Sequence, residues 1–325
     1  MPRVVATSRS FVRTQGPADF LRAKGYDVHS EAYSAAMGSE GLQRLMASAD
    51  ALLPGAEPVT AAMIAAALHL KIIARVGVGY DAVDLEAATK RGIWVTNTPG
   101  ANKEAVADLT FGLMLSVARR IPKAHQAMRD DRWEAPLGVW VYSKTIGIVG
   151  TGNIGKAVAR RARGFDMRVL AYDVVRDDGF AAQHGVAYVS LEELFRESDF
   201  ITLHVPYSSE NHHLIDERAI DLMKSSAFVV NAARGGLIDE AALYRALTSG
   251  RLAGAALDCH ENEPRRDYDL ARLENVVATP HMAGQAAESI ELSSLHAAEC
   301  IAAVCEGGAP PADRVVNREL LAARA

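Results

Sequence analysis

Three ionisable residues stand just after apolar, strand-like runs in the second half of the chain. Arg234 follows "SAFVVNAA", Glu263 lies in the loop after "GAALDC", and His281 follows "NVVATP". An arginine can bind a carboxylate or carbonyl through a planar pair of hydrogen bonds, and a histidine titrates near neutral pH and can therefore give or take a proton. A carboxylate beside the histidine would orient the ring and favour its protonated form. The three residue types predict acid–base chemistry on an acidic substrate.

Each of these residues also has an ordinary structural explanation when it is taken singly. Arg234 could form a surface salt bridge, Glu263 could be a solvated loop charge, and His281 could be a capped core histidine. Ligands of open parallel sheets bind outside the carboxyl ends of the strands. Because all three residues follow strand candidates, we expect them to converge on one cleft.

A glycine-rich segment is the most specific local signal in the sequence. The run "TIGIVGTGNIGKAV" places Gly150, Gly152 and Gly155 in the pattern G-x-G-x-x-G between a strand candidate and an amphipathic stretch. This pattern allows a tight turn and brings a pyrophosphate to the N-terminus of the helix. Asp173 ends the next strand candidate, 18 residues after Gly155, where a carboxylate binds a ribose 2′-hydroxyl and repels a 2′-phosphate. The segment predicts NAD as the cofactor, although Arg176 nearby weakens the preference over NADP.

The elements that must position these residues alternate along the chain. Apolar strand candidates alternate with alanine-rich helical stretches, which is typical of parallel sheets covered by helices. Residues 103–133 predict one long apolar helix that Pro122 interrupts, and the stretch "AAESIELSSLHAAECIAAVCEGG" predicts a second. If the second helix returns to the first sheet, the N-terminal domain is discontinuous in sequence. The strand candidates are "RVVATS", "ALLPG", "LKIIARVG", "IWVTN", "KTIGIVG", "RVLAYD", "FITLHVP", "AFVVNAA", "GAALDC" and "NVVATP".

Composition limits the function further. The 325 residues are 49% hydrophobic and 23% charged with a net charge of −5, which suggests about two globular domains and gives no reason to expect nucleic acid or a membrane surface as a partner. No apolar run approaches the roughly 18 residues of a membrane span, and the N-terminal segment lacks an export-like apolar stretch. The 3 cysteines have no metal-ligand spacing, so we expect reduced thiols and a cytoplasmic location.

Several motifs in a fixed order make the chain similar to the D-2-hydroxyacid dehydrogenase family from about residue 45 to "VVNREL". They are "ARVGVGYDAVDLEAATKRGIWVTNTPGANKEAVADLT", "GIVGTGNIGKAV", "HVPYSSENHHLI", "VVNAARGGLIDEAALYRALTSGRLAGAALD", "ENEP" and "PHMAG". The resemblance implies an α/β fold with two doubly wound parallel-sheet domains. A discontinuous, flavodoxin-like substrate domain would span 1–100 plus 288–325, and a Rossmann NAD-binding domain would span 101–287. It also implies a homodimer that uses an arm at about 110–145.

The resemblance implies a role for individual positions. Arg234, Glu263 and His281 match the family's catalytic residues, and Val78 and Gly79 match the loop whose amides hold the substrate carboxylate, together with Arg234. The implied reaction is hydride transfer between NAD and C2 of a 2-hydroxy acid, with His281 moving the hydroxyl proton. No metal is implied. The implied cofactor-binding residues are Thr110, Gly150, Gly152, Asn153, Ile154, Gly155, Asp173, His204, Pro206, Ala232 and Asp258.

Within the family, "LSVARRIPKAHQAMRDDRWE" is most similar to 3-phosphoglycerate dehydrogenases, so 3-phosphoglycerate is the predicted substrate. The C-terminal regulatory domain of some of those enzymes is expected to be absent. A phosphate requires cations, yet "EAPLGVWVYSK" after Trp133 carries little basic charge, and Arg9 and Arg13 are the possible substitutes. The alternatives are a hydroxypyruvate or glyoxylate reductase, an NADH-sensing transcriptional corepressor of the same family and, with less support, a formate-oxidising enzyme.

The sequence departs from the family's usual pattern close to the predicted site. Asp108 stands where a glutamate is usual, and Cys259 and His260 replace bulky apolar residues, which could alter the shape of the substrate site. No metal role is expected for His260, because the sequence shows no clustered partner ligands.

Overall fold

The structure is a computed structural model that describes residues 1–264 and 267–324, apart from the side chains of Ala323 and Arg324. The chain divides into two compact units. The first unit contains 1–102 and 284–325, and the second contains 103–283. None of the helices in these described ranges has the length and apolar character needed to cross a membrane.

The strands are short and apolar, and they belong to two sheets. The first unit contains β1 (Arg3–Ala6), β2 (Asp27–Ser30), β3 (Ala51–Leu53), β4 (Ile72–Ala74) and β5 (Trp94–Thr96). The second unit contains β6 (Thr145–Val149), β7 (Arg168–Tyr172), β8 (Val186–Tyr188), β9 (Phe200–Leu203), β10 (Phe228–Asn231), β11 (Gly254–Leu257) and β12 (Val276–Ala278).

Helices connect almost all of these strands. In the first unit they are α1 (Arg9–Val12), α2 (Gly16–Ala23), α3 (Gly38–Met46), α4 (Ala61–Ala66), α5 (Leu85–Lys90), α13 (Ala287–Cys305) and α14 (Glu319–Arg324). In the second unit they are α6 (Lys103–Ala118), α7 (Ile121–Arg129), α8 (Asn153–Ala162), α9 (Asp178–His184), α10 (Leu191–Glu197), α11 (Glu217–Leu222) and α12 (Glu240–Thr248).

The first unit is a five-stranded parallel sheet in the order β2-β1-β3-β4-β5, the flavodoxin-like order. Alternate residues of each strand enter different apolar clusters, Val4 in one and Val5 in the other, because helices cover both faces. The C-terminal segment is part of this unit. The buried Asn317 side chain accepts a hydrogen bond from Val95 N (2.9 Å) and donates to Ile93 O (2.9 Å) beside β5.

The second unit is a seven-stranded parallel sheet in the order β12-β11-β10-β9-β6-β7-β8. The direction in which the chain adds strands reverses between β6 and β9, so the carboxyl end of β6 is a topological switch point of the kind that binds dinucleotides. Both faces are packed by apolar side chains, for example Val149 and Leu257 on one face and Ile148 and Ala256 on the other. The predicted fold class is confirmed.

Two local predictions differ from the structure for identifiable reasons. The long helix breaks before Pro122: α6 ends at Ala118, Arg120 adopts a left-handed conformation with φ of 52°, and Pro122 lies in the first turn of α7. A proline fits there because an N–H group in the first turn of a helix has no acceptor within the helix, so its absence costs no hydrogen bond. Strands β2 and β8 were not predicted, because they are partly exposed and lack an apolar run; the other two edge strands, β5 and β12, have such a run and were predicted.

Candidate active site

Three neighbouring strands end at the same level and carry the residues that sequence analysis singled out. Asn231 of β10 pairs with Leu257 of β11, which pairs with Ala278 of β12. The turns that follow these three strands therefore begin side by side. Arg234, Glu263 and His281 lie in these three turns, one in each.

The turn after β10 holds Arg234. The buried Asn231 side chain donates to Arg234 O (2.8 Å) and accepts from Ala233 N (3.0 Å), which fixes the backbone of this turn. The Arg234 side chain is half-buried, and its Nη1 donates to Ala233 O at 2.7 Å. A Cβ on the next residue, Gly235, would lie 2.0 Å from the carbonyl carbon of His260. This position requires glycine because the turns after β10 and β11 are in close contact.

The turn after β11 is tied to the turn after β12. His260 N donates to Glu263 Oε1 (2.7 Å), and His260 Nε2 donates to Thr279 O (3.0 Å). The buried Glu240 of α12 accepts from Glu261 N at 2.9 Å. These contacts fix the loop that carries Glu263 from both sides.

Glu263 and His281 form a direct ion pair. Glu263 Oε2 lies 2.5 Å from His281 Nδ1, and 32% and 48% of the two side chains are exposed. The Cys259 sulfur and the Glu263 carboxylate raise the pKa of His281 to about 10, against the opposing effect of burial. Burial also acts to raise the pKa of Glu263, but hydrogen bonds from His281 and from His260 N hold it below its ordinary value. The pair is therefore a carboxylate and an imidazolium at neutral pH.

Asp258 fixes the turn that presents His281. This fully buried carboxylate accepts from Thr279 Oγ1 (2.6 Å) and Met282 N (2.8 Å) through Oδ1 and from Ala283 N (2.8 Å) through Oδ2. His281 N donates to Asp258 O at 2.8 Å, and His281 has a φ of 49°. Both carboxylate oxygens of Asp258 thus accept hydrogen bonds from residues of the turn after β12. Its expected contact with a nicotinamide carboxamide stays a prediction.

Cys259 and Glu240 support this site, although neither was among the predicted site residues. Cys259 is 2% exposed, donates to Ala233 O at 3.3 Å and lies near Glu263 and His281. It was noted as a departure from the family pattern, but its neighbours come from two different loops, so residue spacing could not reveal the contact. The glutamate after "LID" had no distinguishing signal, because acidic residues are common in the first turn of a helix.

The glycine-rich loop follows β6 at the switch point of the sheet. Gly150 has a φ of 97°, and a Cβ there would lie 2.8 Å from the carbonyl group of His204; a Cβ on Gly155 would lie 1.9 Å from Gly150 O. Helix α8 begins at Asn153 after Gly152, which has open space around it. Among the described residues, no acceptor binds the N–H groups of Asn153, Ile154 and Gly155. A tight turn with free N–H groups at a helix N-terminus fits the pyrophosphate of NAD.

Asp173 ends β7 beside this loop. Its Oδ2 accepts from Thr151 N (2.6 Å) and Thr151 Oγ1 (3.0 Å), and its Oδ1 accepts from Val175 N (3.0 Å). Burial opposes ionisation, but these hydrogen bonds outweigh it and hold the pKa of Asp173 below its ordinary value. The exposed Arg176 guanidinium lies 5.7 Å from the centre of the Tyr188 ring. An ionised acid at this place suits a ribose diol better than a 2′-phosphate.

The remaining predicted cofactor residues, His204, Thr110, Pro206 and Ala232, differ in burial and in hydrogen bonding. Burial lowers the pKa of His204 to about 3, so its ring is neutral; Nε2 lies 2.9 Å from Thr202 Oγ1, and the buried Nδ1 has no partner within the described chain. The Thr110 hydroxyl is buried and donates to Val106 O (2.8 Å), while Pro206 is exposed. Ala232 packs against Val106 and Ala283. The backbone carbonyl group of His204 lies against Gly150, and a contact between the His204 ring and the cofactor stays a prediction.

The loop with Val78 and Gly79 belongs to the first unit and follows β4. Arg75 Nε donates to Gly79 O (2.8 Å), and Asn97 Nδ2 donates to Val78 O (2.7 Å). The backbone N–H groups of Val78 and Gly79 donate to no acceptor in 1–264 or 267–324. Side chains thus hold the two carbonyl groups and leave two neighbouring N–H groups for an anion.

Comparison with known proteins agrees with this geometry. Residues 111–283 match the model of the D-isomer specific 2-hydroxyacid dehydrogenase NAD binding domain. A glyoxylate reductase of Korarchaeum cryptofilum is 45% identical over 275 residues, 82% of each chain. A D-3-phosphoglycerate dehydrogenase of Methanocaldococcus jannaschii is 44% identical over 262 residues, 80% of this chain and 50% of that protein. A crystal structure of a Thermus thermophilus protein superposes with a TM-score of 0.88 at 37% identity, covering 97% of this chain and 99% of that one.

The fold and the glycine-rich switch point therefore belong to an oxidoreductase with an NAD-binding domain. The chain is a member of the D-isomer specific 2-hydroxyacid dehydrogenase family.

Proposed function

We propose that the protein reduces a small, unphosphorylated 2-keto acid, glyoxylate or hydroxypyruvate, with NADH, and catalyses the reverse oxidation of the 2-hydroxy acid. The observation that carries the proposal is the 2.5 Å contact between Glu263 and His281 and the raised pKa of His281 that accompanies it. An imidazolium at neutral pH can give a proton to a carbonyl oxygen. The carboxylate beside it stabilises the charged ring and fixes its orientation.

The mechanism assigns each residue one task. Arg234 binds the substrate's carboxylate or carbonyl oxygen with its guanidinium. The role of the Val78 and Gly79 N–H groups in binding the carboxylate, implied by the family resemblance, stays a prediction. Bound NADH supplies the hydride. His281 gives the proton from its ring to the developing alkoxide at C2, which lowers the barrier by neutralising that charge. In the oxidation direction the same ring takes the hydroxyl proton.

The NAD site is proposed on the loop after β6. The N–H groups at the start of α8 would hold the pyrophosphate, and Asp173 would accept the hydroxyl groups of the ribose. Since the ionised Asp173 repels a second phosphate, NADH is expected to be preferred over NADPH.

The choice of an unphosphorylated substrate rests on charge. A phosphate group requires cations, but residues 133–142 contain no lysine or arginine. Arg9 and Arg13 are exposed, and Arg9 Nε makes a long contact of 3.4 Å with Tyr33 O. The glyoxylate reductase relative supports a small acid. 3-Phosphoglycerate, the substrate predicted from the sequence, is the second candidate, and the phosphoglycerate dehydrogenase relative of nearly equal identity favours it.

A substrate panel tests the proposal directly. NADH oxidation is followed with glyoxylate, hydroxypyruvate, phosphohydroxypyruvate and pyruvate, and each is repeated with NADPH. The expected result is the highest kcat/KM for glyoxylate or hydroxypyruvate with NADH. A preference for phosphohydroxypyruvate that falls in the Arg9→Ala and Arg13→Ala variants would establish the second candidate instead. If no 2-keto acid is reduced, both candidates are wrong and a sensing role becomes the alternative.

We further propose that the protein is a cytoplasmic homodimer. Several large apolar side chains are exposed together after α7, with Trp133 90%, Leu137 91% and Trp140 73% exposed. Burying such a surface against a second copy would remove it from water. Light scattering is expected to give the mass of a dimer, and Trp140→Glu should shift the protein toward the monomer; a monomeric wild type would contradict the proposal.

A further inference from the structure

Cys259, Glu263 and His281 form a cluster whose potential ligand atoms all lie within 4.8 Å of one another. The buried Cys259 thiol donates to Ala233 O, while the Glu263 and His281 side chains are 32% and 48% exposed. No bond to the thiol forms or breaks in the proposed reduction, where Cys259 contributes only to the raised pKa of His281. A thiol, an imidazole and a carboxylate that reach one point from two loops are the kinds of ligand that Zn²⁺ binds.

We propose that this cluster is an inhibitory Zn²⁺ site, in which Cys259, Glu263 and His281 supply three ligands and water or substrate supplies the fourth. On binding, the Cys259 thiol and the protonated His281 ring each lose one proton to the solvent, and the sulfur and Nδ1 each form a bond to the metal. One thiolate and one carboxylate then balance the two charges of the ion. Mg²⁺ and Ca²⁺ prefer oxygen ligands, whereas thiolate and imidazole ligands favour Zn²⁺. We therefore do not expect Mg²⁺ or Ca²⁺ to bind here.

Binding of Zn²⁺ requires small movements of the ligand side chains. Tetrahedral Zn²⁺ with bonds of about 2.0 to 2.3 Å holds its ligand atoms about 3.4 to 3.6 Å apart. The Glu263 and His281 atoms must therefore separate by about 1 Å from their 2.5 Å contact, and no pair of ligand atoms has to approach by more than about 1.4 Å. The side chains of Glu263 and His281, 32% and 48% exposed, can make this change.

The consequence for activity rests on the proposed function. A metal on Nδ1 of His281 and on Glu263 would break the ion pair and remove the protonated ring that gives the proton. The binding of the metal itself does not depend on that function, so it can be measured separately.

The first experiment therefore uses Co²⁺ as a spectroscopic probe of the whole protein. A bond between Co²⁺ and a thiolate produces a charge-transfer band in the near ultraviolet, and Zn²⁺ should remove the band by competition. The band is expected in the wild type and in Cys305→Ser, the matched control at a more accessible cysteine in the first unit. It should be absent from Cys259→Ser, with circular dichroism confirming that this variant is folded. A band that persists in Cys259→Ser would overturn the proposal.

The second experiment measures Zn²⁺ inhibition of NADH oxidation, each variant being compared with its own rate without metal. Loss of a group that orients a metal ligand weakens binding on the order of ten- to a hundredfold, so loss of a ligand should raise the inhibitory Zn²⁺ concentration of Cys259→Ser by at least about tenfold. Cys305→Ser should behave as the wild type. Equal inhibition of all three proteins would reject the site, because the metal would then act elsewhere. If no keto acid is reduced, the Co²⁺ spectrum still decides whether the metal binds.

Discussion

Replacing Glu263 by glutamine removes one charge from the pair with His281 and keeps the size of the side chain. The two atoms are 2.5 Å apart, and both side chains are partly exposed. Opposite unit charges at that distance attract by about 1.7 kcal/mol in bulk water, and the water value is the suitable scale because exposed pairs are strongly screened. Since about 1.4 kcal/mol corresponds to one pKa unit, the pKa of His281 should fall by about one unit in Glu263→Gln.

The assay is kcat/KM for reduction of the best keto acid at saturating NADH, measured as a function of pH. Reduction needs the protonated ring, so the wild-type rate should stay level through neutral pH and fall only at alkaline pH, where a group with a pKa of about 10 loses its proton. In Glu263→Gln the same fall should begin about one pH unit lower. With its oxygen toward His281 the glutamine keeps that hydrogen bond, while its NH2 group then faces His260 N and loses the second one. The displacement of the profile therefore reports the lost charge of the atom that contacts His281.

Glu261→Gln is the matched control in the same loop. The Glu261 carboxylate lies 2.6 Å from His213 Nε2, and its substitution changes the net charge of the loop equally. Its pH profile should match that of the wild type. If the profile of Glu263→Gln does not move, or if both variants move by the same amount, the direct effect of Glu263 on His281 is refuted.

Three further substitutions test the remaining parts of the site. His281→Ala should retain NADH binding, measured by fluorescence titration, and lose turnover by about a hundred- to ten-thousandfold; an unchanged rate would reject the proton-transfer role. Arg234→Lys should raise KM and lower kcat, and its kcat/KM should fall by about ten- to a hundredfold, because an ammonium cannot reproduce a two-pronged hydrogen bond to the substrate. Gly235→Ala should lower the free energy of unfolding by about 1 to 3 kcal/mol, since the new Cβ meets the backbone of His260 at 2.0 Å. Gly164→Ala, which has open space, is the control in the same denaturant titration, and equal stability of both variants would contradict the packing argument.

The fold class could be predicted because the inner strands are apolar throughout and alternate with helices. The prediction failed at two of the four edge strands, β2 and β8, which pair with a single neighbour and contain exposed residues in place of an apolar run. It also misplaced the break between α6 and α7. The left-handed conformation of Arg120 that ends α6 has no local signal as clear as a proline, and Pro122 fits within the first turn of α7.

Part of the candidate site could be predicted because the functional residues of parallel sheets lie just after the carboxyl ends of the strands. Glu263 and His281 were selected on that basis, and they are in direct contact. The supporting groups were not predictable, because their contacts join loops that only the register of β10, β11 and β12 brings together. Asp258 is an example: sequence similarity implied a cofactor contact, while the structure shows that its carboxylate holds the turn of His281.

The electrostatics of the site bear on the direction of the proposed reaction. The ion pair of Glu263 and His281 is a resting state that already holds the proton needed for reduction, whereas oxidation must first remove that proton from a ring that a neighbouring carboxylate stabilises. After each reduction, the ring can recover a proton from water because 48% of the His281 side chain is exposed. The buried side chains of Asp258 and Glu240 accept hydrogen bonds from backbone N–H groups and so fix the position of the pair. A pair built in this way favours reduction of a keto acid at neutral pH, and alkaline conditions should shift it toward oxidation of the hydroxy acid.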